Sequence, residues 1–335
     1  MTHCRNLITD VPGIAVGNAQ DALVYSGVSV VLPNRAAVAA VDVRGGGPGT
    51  RETDAIGLSG TVEEIHAIVL SGGSAFGLAA ASGVQSYLAA QGIGFAVGEA
   101  RIPIVPQAIL FDLLNGGDKT AAGAAIYERL AAEACLRAGP NFELGSIGAG
   151  FGATTATLRG GLGSASQVLD DGLVVGALVA VNAAGSVTMG SSRHFWASPF
   201  EQNAEFGGSG LPVGPMDETT SIRLKRLAGA STTIAVIATN GRLTKPQAHR
   251  LAVMAQTGMA RAIYPVHTPL DGDVVFALAT GDAPLADSVI ALAELGAHAA
   301  NVLARAIARG VYAAAPCPQG WTGPPGYATK FGGRS

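Results

Sequence analysis

The segment AGASTTIAVIATN, residues 228–240, places a run of small and β-branched apolar residues directly behind three hydroxyl side chains. The run at 234–238 has the composition of a buried strand, and the polar residues before it are typical of a loop that leads into such a strand. The hydroxyl residues are Ser231, Thr232 and Thr233. Taken alone, the segment predicts a strand from about residue 232 and leaves open whether Thr232 is structural or chemical.

Strand and helix patterns alternate in groups along the rest of the chain. Short apolar runs bounded by Gly, Pro or Asn predict strands at 8–17, 27–33, 36–43, 66–73, 232–239 and 273–280, and a buried hairpin at 173–190. Helical patterns cover 74–91, 119–138, 245–262 and 284–309. Elements grouped in this way favour a layered α/β fold with mixed sheets over a regular doubly wound fold. Residues 191–228 are polar and irregular, which predicts an exposed loop.

Composition indicates a single large domain, 1–335, with a small polar surface. Apolar residues make up 48% of the chain and charged residues 13%, so we expect a homo-oligomer that covers part of the surface. A net charge of −3 gives no reason to expect binding to nucleic acid or to an anionic membrane. Three scattered cysteines and no signal-peptide pattern favour a cytoplasmic location.

Several familiar chemical motifs are missing from the sequence. The glycine-rich segments RGGGPGT (44–50) and SGGSAFG (71–77) match neither phosphate-loop nor dinucleotide-binding spacing, although the second precedes a helix whose start could bind an anion. No G-x-S-x-G elbow is present. The six histidines form no HxH, HExxH or Cys/His cluster, so we expect neither a metal nor another cofactor.

Thr232 becomes a candidate nucleophile if the peptide bond before it is cut. A threonine hydroxyl is weakly nucleophilic unless a base stands beside it. Cleavage between Ser231 and Thr232 would give Thr232 a free α-amine, whose pKa near about 8 suits a base at neutral pH. A polar stretch before a rigid strand is a suitable place for such a cut.

Two further positions carry candidate chemistry. Asp271 and Asp273 flank a glycine directly before a predicted strand, and two close carboxylates raise the pKa of one of them. Such a pair can orient an amine and relay a proton. Asn182 ends the apolar run ALVAVN and offers a neutral donor for an oxyanion. Each of these residues alone is also compatible with an ordinary turn.

Taken in order, six segments resemble one family. They are ITDVPGIAVGN (8–18), AAVAAVDVRGGGPGTRETD (36–54), LSGGSAFGLAAASGV (70–84), GLVVGALVAVNAAG (172–185), STTIAVIATN (231–240) and ARAIYPVHTPLDGDVVFALAT (260–280). The family is that of the self-processing aminopeptidases related to L-aminopeptidase/D-amidase, which includes β-aminopeptidases and endo-type 6-aminohexanoate-oligomer (nylon oligomer) hydrolases. The resemblance extends from about residue 8 to 310.

This resemblance implies an αββα sandwich of two mixed sheets between helical layers, of the N-terminal-nucleophile type. It implies autocleavage between Ser231 and Thr232 into chains 1–231 and 232–335, often assembled as a tetramer. Thr232 would be the nucleophile, Asn182 part of the oxyanion site, and Asp271 and Asp273 the acidic pair that supports the new amino terminus. A Thr nucleophile with Asp-Gly-Asp is closer to the nylon-oligomer branch than to the Ser-x-Glu pattern of the β-aminopeptidases.

Three positions depart from the family pattern. Ser231 stands where the nylon-oligomer hydrolases have Asn. Arg159 occupies the place of a lysine in the glycine-rich middle segment, and arginine stays charged and cannot shuttle a proton. Phe111 stands where some members have a tyrosine that helps to bind the oxyanion, so the phenolic hydroxyl is missing.

The sequence therefore predicts a self-processing N-terminal-threonine hydrolase of small amides, with no cofactor. Its substrates would be short amino-acyl amides, peptides or 6-aminohexanoate oligomers, cleaved through an acyl-enzyme. Two alternatives remain open at this point. One is acyl transfer to an amine, as in the similarly folded ornithine acetyltransferases, and the other is non-catalytic binding of a small ligand.

Overall fold

The computed structural model describes residues 4–214, 222–225, 231–286 and 289–332. The strands of this part are β1 (Ile14–Asp21), β2 (Ser26–Pro33), β3 (Ala37–Val43), β4 (Thr50–Arg51), β5 (Glu64–Ile65), β6 (Ile68–Ser71), β7 (Phe95–Val97), β8 (Ala100–Ile102), β9 (Gln107–Ile109), β10 (Gly161–Val168), β11 (Val174–Asn182), β12 (Thr232–Gly241) and β13 (Val274–Ala283). The helices are α1 (Ala80–Ala89), α2 (Ala124–Leu136), α3 (Lys245–Ala262), α4 (Val289–Tyr312) and α5 (Tyr327–Phe331). Short 3₁₀ turns lie at Ile8–Asp10, Ser74–Ala79, Lys119–Ala121, Gly148–Gly150 and Ser198–Phe200.

Two mixed sheets pack face to face between two layers of helices. The first has the order β1-β2-β6-β9-β4 and the second the order β10-β11-β12-β13-β3-β5. Each contains one parallel pair, β6 with β9 and β12 with β13, among antiparallel neighbours. Helices α1 and α2 cover the first sheet, and α3 and α4 cover the second. The predicted αββα sandwich is confirmed.

The central strands are buried on both faces because each sheet has a sheet on one side and helices on the other. In β12, Val236 faces the first sheet, whereas Ile237 packs against the helices. Successive side chains of a strand point to opposite faces, so a strand covered on both sides is apolar throughout. This arrangement explains the uninterrupted apolar run of β12, in which every residue is buried.

Strand pairing brings three chain segments together at one end of the inner strands of the second sheet. In the antiparallel pair β11–β12, Asn182 lies opposite Thr232. In the parallel pair β12–β13, Ile234 lies beside Val274. The end of β11 and the starts of β12 and β13 therefore meet, and the residues that precede β13 lie next to those that precede β12.

Most of the predicted elements are confirmed with shifted ends. The helix predicted at 245–262 is α3, with the capping box of Thr244 and Gln247 in place. The pattern at 119–138 divides into a 3₁₀ turn and α2, and the pattern at 74–91 into a 3₁₀ turn and α1. The helix predicted from 284 begins at Val289, with residues 287 and 288 outside the described part.

The hairpin predicted at 173–190 is wrong. Only Val174–Asn182 forms a strand there, and its hairpin partner is the preceding strand β10. Beyond Asn182 the chain turns under the residues before β13, and the backbone N–H of Ala184 donates to a carboxylate oxygen of Asp271 at 2.9 Å. The backbone N–H of Ala184 is thus bonded to a side chain and does not pair with a second strand.

The loop predicted at 191–228 is not exposed throughout. Phe195, Ala197 and Phe206 are buried in the core formed by the second sheet and its helices. The ring of Phe195 stacks on that of Tyr327 in α5, with centroids 4.9 Å apart. Residues 215–221 and 226–230, which include most of the charged segment, lie outside the described part.

Helix α4 is long and apolar enough to cross a membrane, but more than half of its apolar stretch is buried within the protein. It packs against β10, β11 and α3, as the core helices of globular proteins do. This packing accounts for its composition.

Close packing of α4 on β10 depends on Gly163. A methyl group at this position would meet the carbonyl oxygen of Ala306 at 1.8 Å. We therefore expect Gly163→Ala to lower the free energy of unfolding by about 1–3 kcal/mol, because the helix must move away from the sheet. Denaturant unfolding would measure the change. Gly139→Ala is the matched control, since a methyl group there has no heavy atom within 4 Å; equal losses in the two variants would contradict the explanation.

Candidate active site

The peptide bond between Ser231 and Thr232 lies at the start of β12, where the end of β11 and the starts of β12 and β13 meet. Ser231 is 2% and Thr232 4% exposed. The Thr232 hydroxyl donates to the carbonyl oxygen of Ser231, with an Oγ1–O distance of 2.5 Å. The backbone N–H of Gly272 donates to the same carbonyl oxygen at 3.1 Å. The hydroxyl therefore stands beside the carbonyl of the preceding residue, which a backbone donor polarises.

Gly272 allows this approach because it has no side chain. A methyl group on its Cα would lie 2.9 Å from the Thr232 hydroxyl oxygen and 2.7 Å from the carbonyl oxygen of Gly47. The glycine between the two aspartates thus leaves room for the hydroxyl and presents its N–H to the Ser231 carbonyl. A larger residue at this position would push the two strand starts apart.

Asp273 links the starts of the two parallel strands. Its Oδ1 accepts a hydrogen bond of 2.7 Å from the backbone N–H of Thr233. Its Oδ2 is 2.9 Å from Nδ1 of His267 and accepts from the His267 backbone N–H at 3.1 Å. The carboxylate is therefore one peptide unit away from the amide nitrogen of Thr232, which cleavage would turn into an amine.

Asp271, the other carboxylate of the pair, is held by Thr268 and has a raised pKa. Its Oδ2 accepts from the hydroxyl and the backbone N–H of Thr268 at 2.6 and 3.0 Å. Burial raises the pKa of Asp271, and the neighbouring charge of Asp273 raises it further, while the hydrogen bonds oppose the shift. The predicted effect of two close carboxylates is thus present, and desolvation is its larger cause.

The glycine-rich segment after β3 wraps around this acidic turn. Backbone N–H groups of Arg44 and Gly45 donate to the Asp273 carbonyl at 3.0 and 3.3 Å, and Gly47 donates to the Asp271 carbonyl at 2.8 Å. A methyl group on Gly45 would meet the Asp273 nitrogen at 2.2 Å. The glycines therefore serve close backbone packing, as expected from their lack of phosphate-loop spacing.

The turn after β6 is filled by a carboxylate of the protein itself. Gly73 has a positive φ of 85° and donates its backbone N–H to Oδ1 of Asp112 at 2.8 Å. The next N–H, that of Ser74, donates to the Leu110 carbonyl at 3.0 Å. The prediction that this helix start could bind an external anion is therefore wrong for the described chain.

Asn182 lies opposite Thr232 and joins three other segments. Its amide group donates to the Phe111 carbonyl at 2.9 Å, and its Oδ1 accepts from the backbone N–H of Thr154 at 2.9 Å. The ammonium group of Lys225 donates to Oδ1 at 3.1 Å and to the Asn182 carbonyl at 3.2 Å. One amide hydrogen of the predicted oxyanion donor is thus engaged in the uncut chain.

Lys225 is a site residue that the sequence did not reveal. Burial lowers the pKa of its ammonium group to about 7, and the negative charge of Asp271 opposes that shift. A lysine with a pKa near neutrality can donate or accept a proton under working conditions. Its position in a charged segment gave no signal, because sequence alone does not show which charge in such a run turns inward.

Arg159, the predicted counterpart of a family lysine, contacts other groups. Its guanidinium donates to the carbonyls of Ala315, Pro316 and Phe151 at 3.1, 2.8 and 3.0 Å. It also lies over the ring of Trp321, 4.6 Å from the centroid. Arg159 holds the chain that follows α4, and within the described chain its hydrogen bonds do not reach the residues around Thr232.

Phe111 belongs to a cavity beside these residues. The cavity has a volume of about 230 Å³. Its lining includes Phe111, Asp112, Leu114, Asn115, Gly152, Thr154, Thr155, Ala156, Lys225, Thr322, Gly323 and Pro324. Thr232 is not part of this lining, but Asn182, which contacts both Phe111 and Lys225, separates the cavity from it. The structure thus brings Thr232, Asn182, Asp271, Asp273 and Phe111 together and leaves Arg159 apart.

Two other features of the described chain bear on ligands. A larger cavity of about 450 Å³ lies at the β10–β11 turn, at the opposite end of β11 from Asn182, so it is remote from this chemistry. Among the described residues, no group of three or more His, Cys, Asp or Glu side chains could hold a metal ion.

Comparison with known proteins agrees with the geometry. Residues 6–321 match Peptidase family S58. An uncharacterised aminopeptidase of Mycobacterium tuberculosis is 40% identical, and the alignment covers 98% of each chain. A 6-aminohexanoate-oligomer endohydrolase of Kocuria sp. is 30% identical over 85% of this chain and 78% of the relative.

Solved structures share the fold. A β-aminopeptidase of Burkholderia sp. superposes with a TM-score of 0.71 at 21% identity, covering 98% of this chain and 95% of the other. The L-aminopeptidase D-Ala-esterase/amidase of Ochrobactrum anthropi, described as a variant of the Ntn hydrolase fold, gives 0.69 at 22% identity, covering 94% and 88%. The likeness extends over nearly the whole chain.

The fold is shared with a variant of the Ntn hydrolase fold, and the relatives define a hydrolase that acts on amide bonds. The chain belongs to peptidase family S58. The resemblance inferred from the six motifs is confirmed, as is the activity on amide bonds. These relatives favour hydrolysis over the acyl-transfer and ligand-binding alternatives.

The pKa of Lys225 predicts a pH-dependent contribution to stability. Because the folded pKa of about 7 lies below the ordinary 10.5, only the unfolded chain holds the proton between these values. Stability therefore rises with pH across this window and loses that gain as pH falls through 7. In a Thr232→Ala background, we expect the Tm of the chain with Lys225 to rise relative to that of Lys225→Met between about pH 6.5 and about pH 9.5.

Lys225→Arg is the matched control for that measurement, because arginine stays charged over the whole range. Its Tm should follow that of the Met variant with no relative gain at high pH. Parallel curves for Lys, Met and Arg would show that Lys225 titrates at an ordinary lysine pKa.

Proposed function

We propose that this chain is a precursor that cuts itself between Ser231 and Thr232. The products are chains 1–231 and 232–335, and Thr232 then serves as the N-terminal nucleophile of an amide hydrolase. The observation that carries the proposal is the Thr232 hydroxyl, 2.5 Å from the Ser231 carbonyl oxygen. Gly272 supports it by donating its N–H to that same oxygen.

Self-cleavage follows from this geometry as an N-to-O acyl shift. The Thr232 oxygen forms a bond to the Ser231 carbonyl carbon, and the carbon–nitrogen bond of the peptide breaks. The hydroxyl proton passes to the departing nitrogen, which becomes the free amine of Thr232. Water then hydrolyses the ester, leaving a carboxylate on Ser231 and restoring the hydroxyl. The Gly272 N–H stabilises the oxyanion formed on the way.

The two aspartates that would bind the new amino terminus of Thr232 already lie beside it in the uncut chain. The carboxylate of Asp273 already accepts the next backbone N–H, that of Thr233, and Asp271 lies beside it. A nearby carboxylate favours the protonated form of an amine. The raised pKa of Asp271 opposes this effect, because it limits the total negative charge of the two aspartates. We assign Asp271 and Asp273 the role of holding the Thr232 amine and adjusting its pKa, so that the amine can take the hydroxyl proton.

Catalysis on substrate repeats the same chemistry on another amide. The Thr232 oxygen attacks the substrate carbonyl, an acyl-enzyme forms and the amine product leaves. The Asn182 amide lies opposite Thr232, and the Lys225 ammonium contacts it, so we assign these two groups the role of stabilising the oxyanion. Phe111 contributes its ring to the cavity wall and its carbonyl to the position of Asn182.

Short amides are the substrates that this site supports. Relatives carry the names aminopeptidase and 6-aminohexanoate-oligomer endohydrolase. The cavity of about 230 Å³ is smaller than the roughly 300–1,000 Å³ of pockets for drug-sized ligands, so it suits a small acyl group. Candidates are amino-acyl amides, peptides and 6-aminohexanoate oligomers. A tetramer of processed chains in the cytoplasm remains our expectation, which light scattering and fractionation would test.

Self-processing is tested by the mass of the purified chain. Wild type should give two chains with the new amino terminus at Thr232, whereas Thr232→Ala should remain at 33.4 kDa. Thr232→Ser keeps a hydroxyl and should still be cut. Intact-mass spectrometry with amino-terminal sequencing distinguishes these outcomes. An active wild-type protein that stays at 33.4 kDa would rule out the scheme.

The acidic pair is tested after processing. We expect Asp273→Asn and Asp271→Asn to lower kcat/KM for amino-acid p-nitroanilides by about 100-fold, within the usual range for general acid–base groups. Arg159→Lys, which lies outside the cluster, should lose less than about tenfold, because Arg159 binds the Phe151 carbonyl and the chain after α4 and not the residues around Thr232. Wild-type kcat/KM in both Asp variants would contradict the assignment.

A further inference from the structure

Two consecutive residues of the turn before β13 each contact one carboxylate of the acidic pair twice. Thr268 donates its hydroxyl and its backbone N–H to Oδ2 of Asp271 at 2.6 and 3.0 Å. His267 lies 2.9 Å from Oδ2 of Asp273 through its ring atom Nδ1, and its backbone N–H donates to the same oxygen at 3.1 Å. In each aspartate the turn holds Oδ2, while Oδ1 accepts from the backbone of a neighbouring segment.

The two contacts of His267 fix the direction of the Asp273 carboxylate. Rotation of the carboxylate about its Cβ–Cγ bond would break both hydrogen bonds at Oδ2. Oδ1 is therefore held 2.7 Å from the Thr233 nitrogen. Because the Thr232 nitrogen lies one residue earlier on the same strand, the direction of Oδ1 decides whether Asp273 reaches the amine that cleavage would form.

The backbone of His267 has an unusual conformation. Its φ is 55°, in the left-handed region that residues other than glycine seldom adopt, although histidine and asparagine are enriched there. Such conformations persist where the surrounding contacts hold them, and they are common at functional sites. Here the residue in that conformation presents both its N–H and its ring to a single oxygen of Asp273.

The ring of His267 has to donate in this contact. Backbone N–H groups donate to both oxygens of Asp273, one from Thr233 and the other from His267 itself. Both oxygens thus act as acceptors, as in an ionised carboxylate, which has no hydrogen to donate. The hydrogen between the ring and Oδ2 therefore belongs to Nδ1.

The ring reaches Asp273 from the more exposed side. The side chain of His267 is 23% exposed, whereas that of Asp273 is 1% exposed. A hydrogen bond to an ionised acceptor is stronger than one between neutral groups, and the low dielectric of a buried site strengthens it further. Loss of the ring would remove this bond and admit water beside Oδ2.

We propose that His267 is a positioning residue for the nucleophile of the processed enzyme, because its Nδ1 hydrogen bond directs Oδ1 of Asp273 to the amine of Thr232. The inference rests on the proposed function and adds a residue that turnover needs and self-cleavage does not. His267 neither gains nor loses a proton in the reaction. The proton of the Thr232 hydroxyl passes to the Thr232 amine and then to the leaving amine of the substrate, while Asp273 holds the Thr232 amine in place.

The uncut chain explains why the two reactions differ in their need for His267. Before cleavage, the Thr232 nitrogen belongs to a peptide bond and cannot act as a base. The acyl shift instead depends on the Thr232 hydroxyl and on the Gly272 N–H, both of which contact the Ser231 carbonyl oxygen. The amine that Asp273 orients exists only after the cut, so loss of the His267 ring should affect turnover.

Two variants at position 267 separate the hydrogen bond of the ring from the backbone conformation. Glycine adopts a positive φ freely and has no side chain, whereas asparagine tolerates it and carries Nδ2 where histidine has Nδ1. We expect His267→Gly to be cut, but to lower kcat for amino-acid p-nitroanilides at least about 20-fold with KM within about threefold of wild type, since the lost contact is at the nucleophile. His267→Asn should keep kcat within about threefold of wild type, because its amide replaces the donor.

His194→Gly is the matched control for removal of a histidine. The His194 ring contacts the Gly210 carbonyl in another loop, so kcat should stay within about twofold of wild type. Wild-type kcat in cut His267→Gly would overturn the positioning role and leave the proposed hydrolysis intact, and so would equally low kcat in His267→Gly and in either His267→Asn or the control. A wild-type chain that stays uncut would overturn the proposed function instead.

A second measurement decides the matter if His267→Gly is not cut. In the Thr232→Ala chain, NMR of nitrogen-labelled histidine reports which ring nitrogen carries a hydrogen. We expect His267 to carry one at Nδ1 at neutral pH, with its signal assigned by its loss when His267→Asn is added. A ring with no hydrogen at Nδ1 would refute the donor role of His267.

Discussion

The hydrogen bond from the Gly272 N–H to the Ser231 carbonyl fixes the relation on which the site depends. It joins the residue before β12 to the turn before β13, so the two parallel strands start in register. Parallel neighbours are joined by a long crossover, here α3. The local sequence of either strand therefore does not set the register between them. Once the offset between the two strands is fixed, the Thr232 hydroxyl lies within hydrogen-bond distance of the polarised Ser231 carbonyl. The Asp273 carboxylate then accepts a hydrogen bond from the Thr233 N–H.

The layered architecture was predictable because its signals are local and repeated. Apolar runs bounded by glycine and proline marked the strands, and the capping box of Thr244 and Gln247 marked α3. The hairpin at 173–190 was mispredicted because its second half is as apolar as a strand. In the structure, the N–H of Ala184 in that half serves the Asp271 carboxylate. Periodicity cannot show which backbone groups pair with side chains.

The site was predictable where motif order supplied long-range information. Thr232, Asn182 and the two aspartates lie together because strand pairing brings distant segments to one edge. Lys225 and the role of Arg159 were not predictable, since the direction of a long cationic side chain depends on the whole surrounding fold. Burial gives Lys225 its perturbed pKa, whereas the carbonyls after α4 occupy Arg159.

The position of β12 and β13 within the second sheet limits what a cut before Thr232 can do. Both strands lie between β11 on one side and β3 on the other, and these outer neighbours belong to the part of the chain before the cut. The segment after α4 also crosses back to that part, through Arg159 and Asn115. The two products would therefore be interleaved, each supplying strands that the other needs to complete one sheet. The two cores that flank the second sheet draw side chains from both products, so cleavage would change the covalent connectivity of the protein and leave that sheet dependent on both chains.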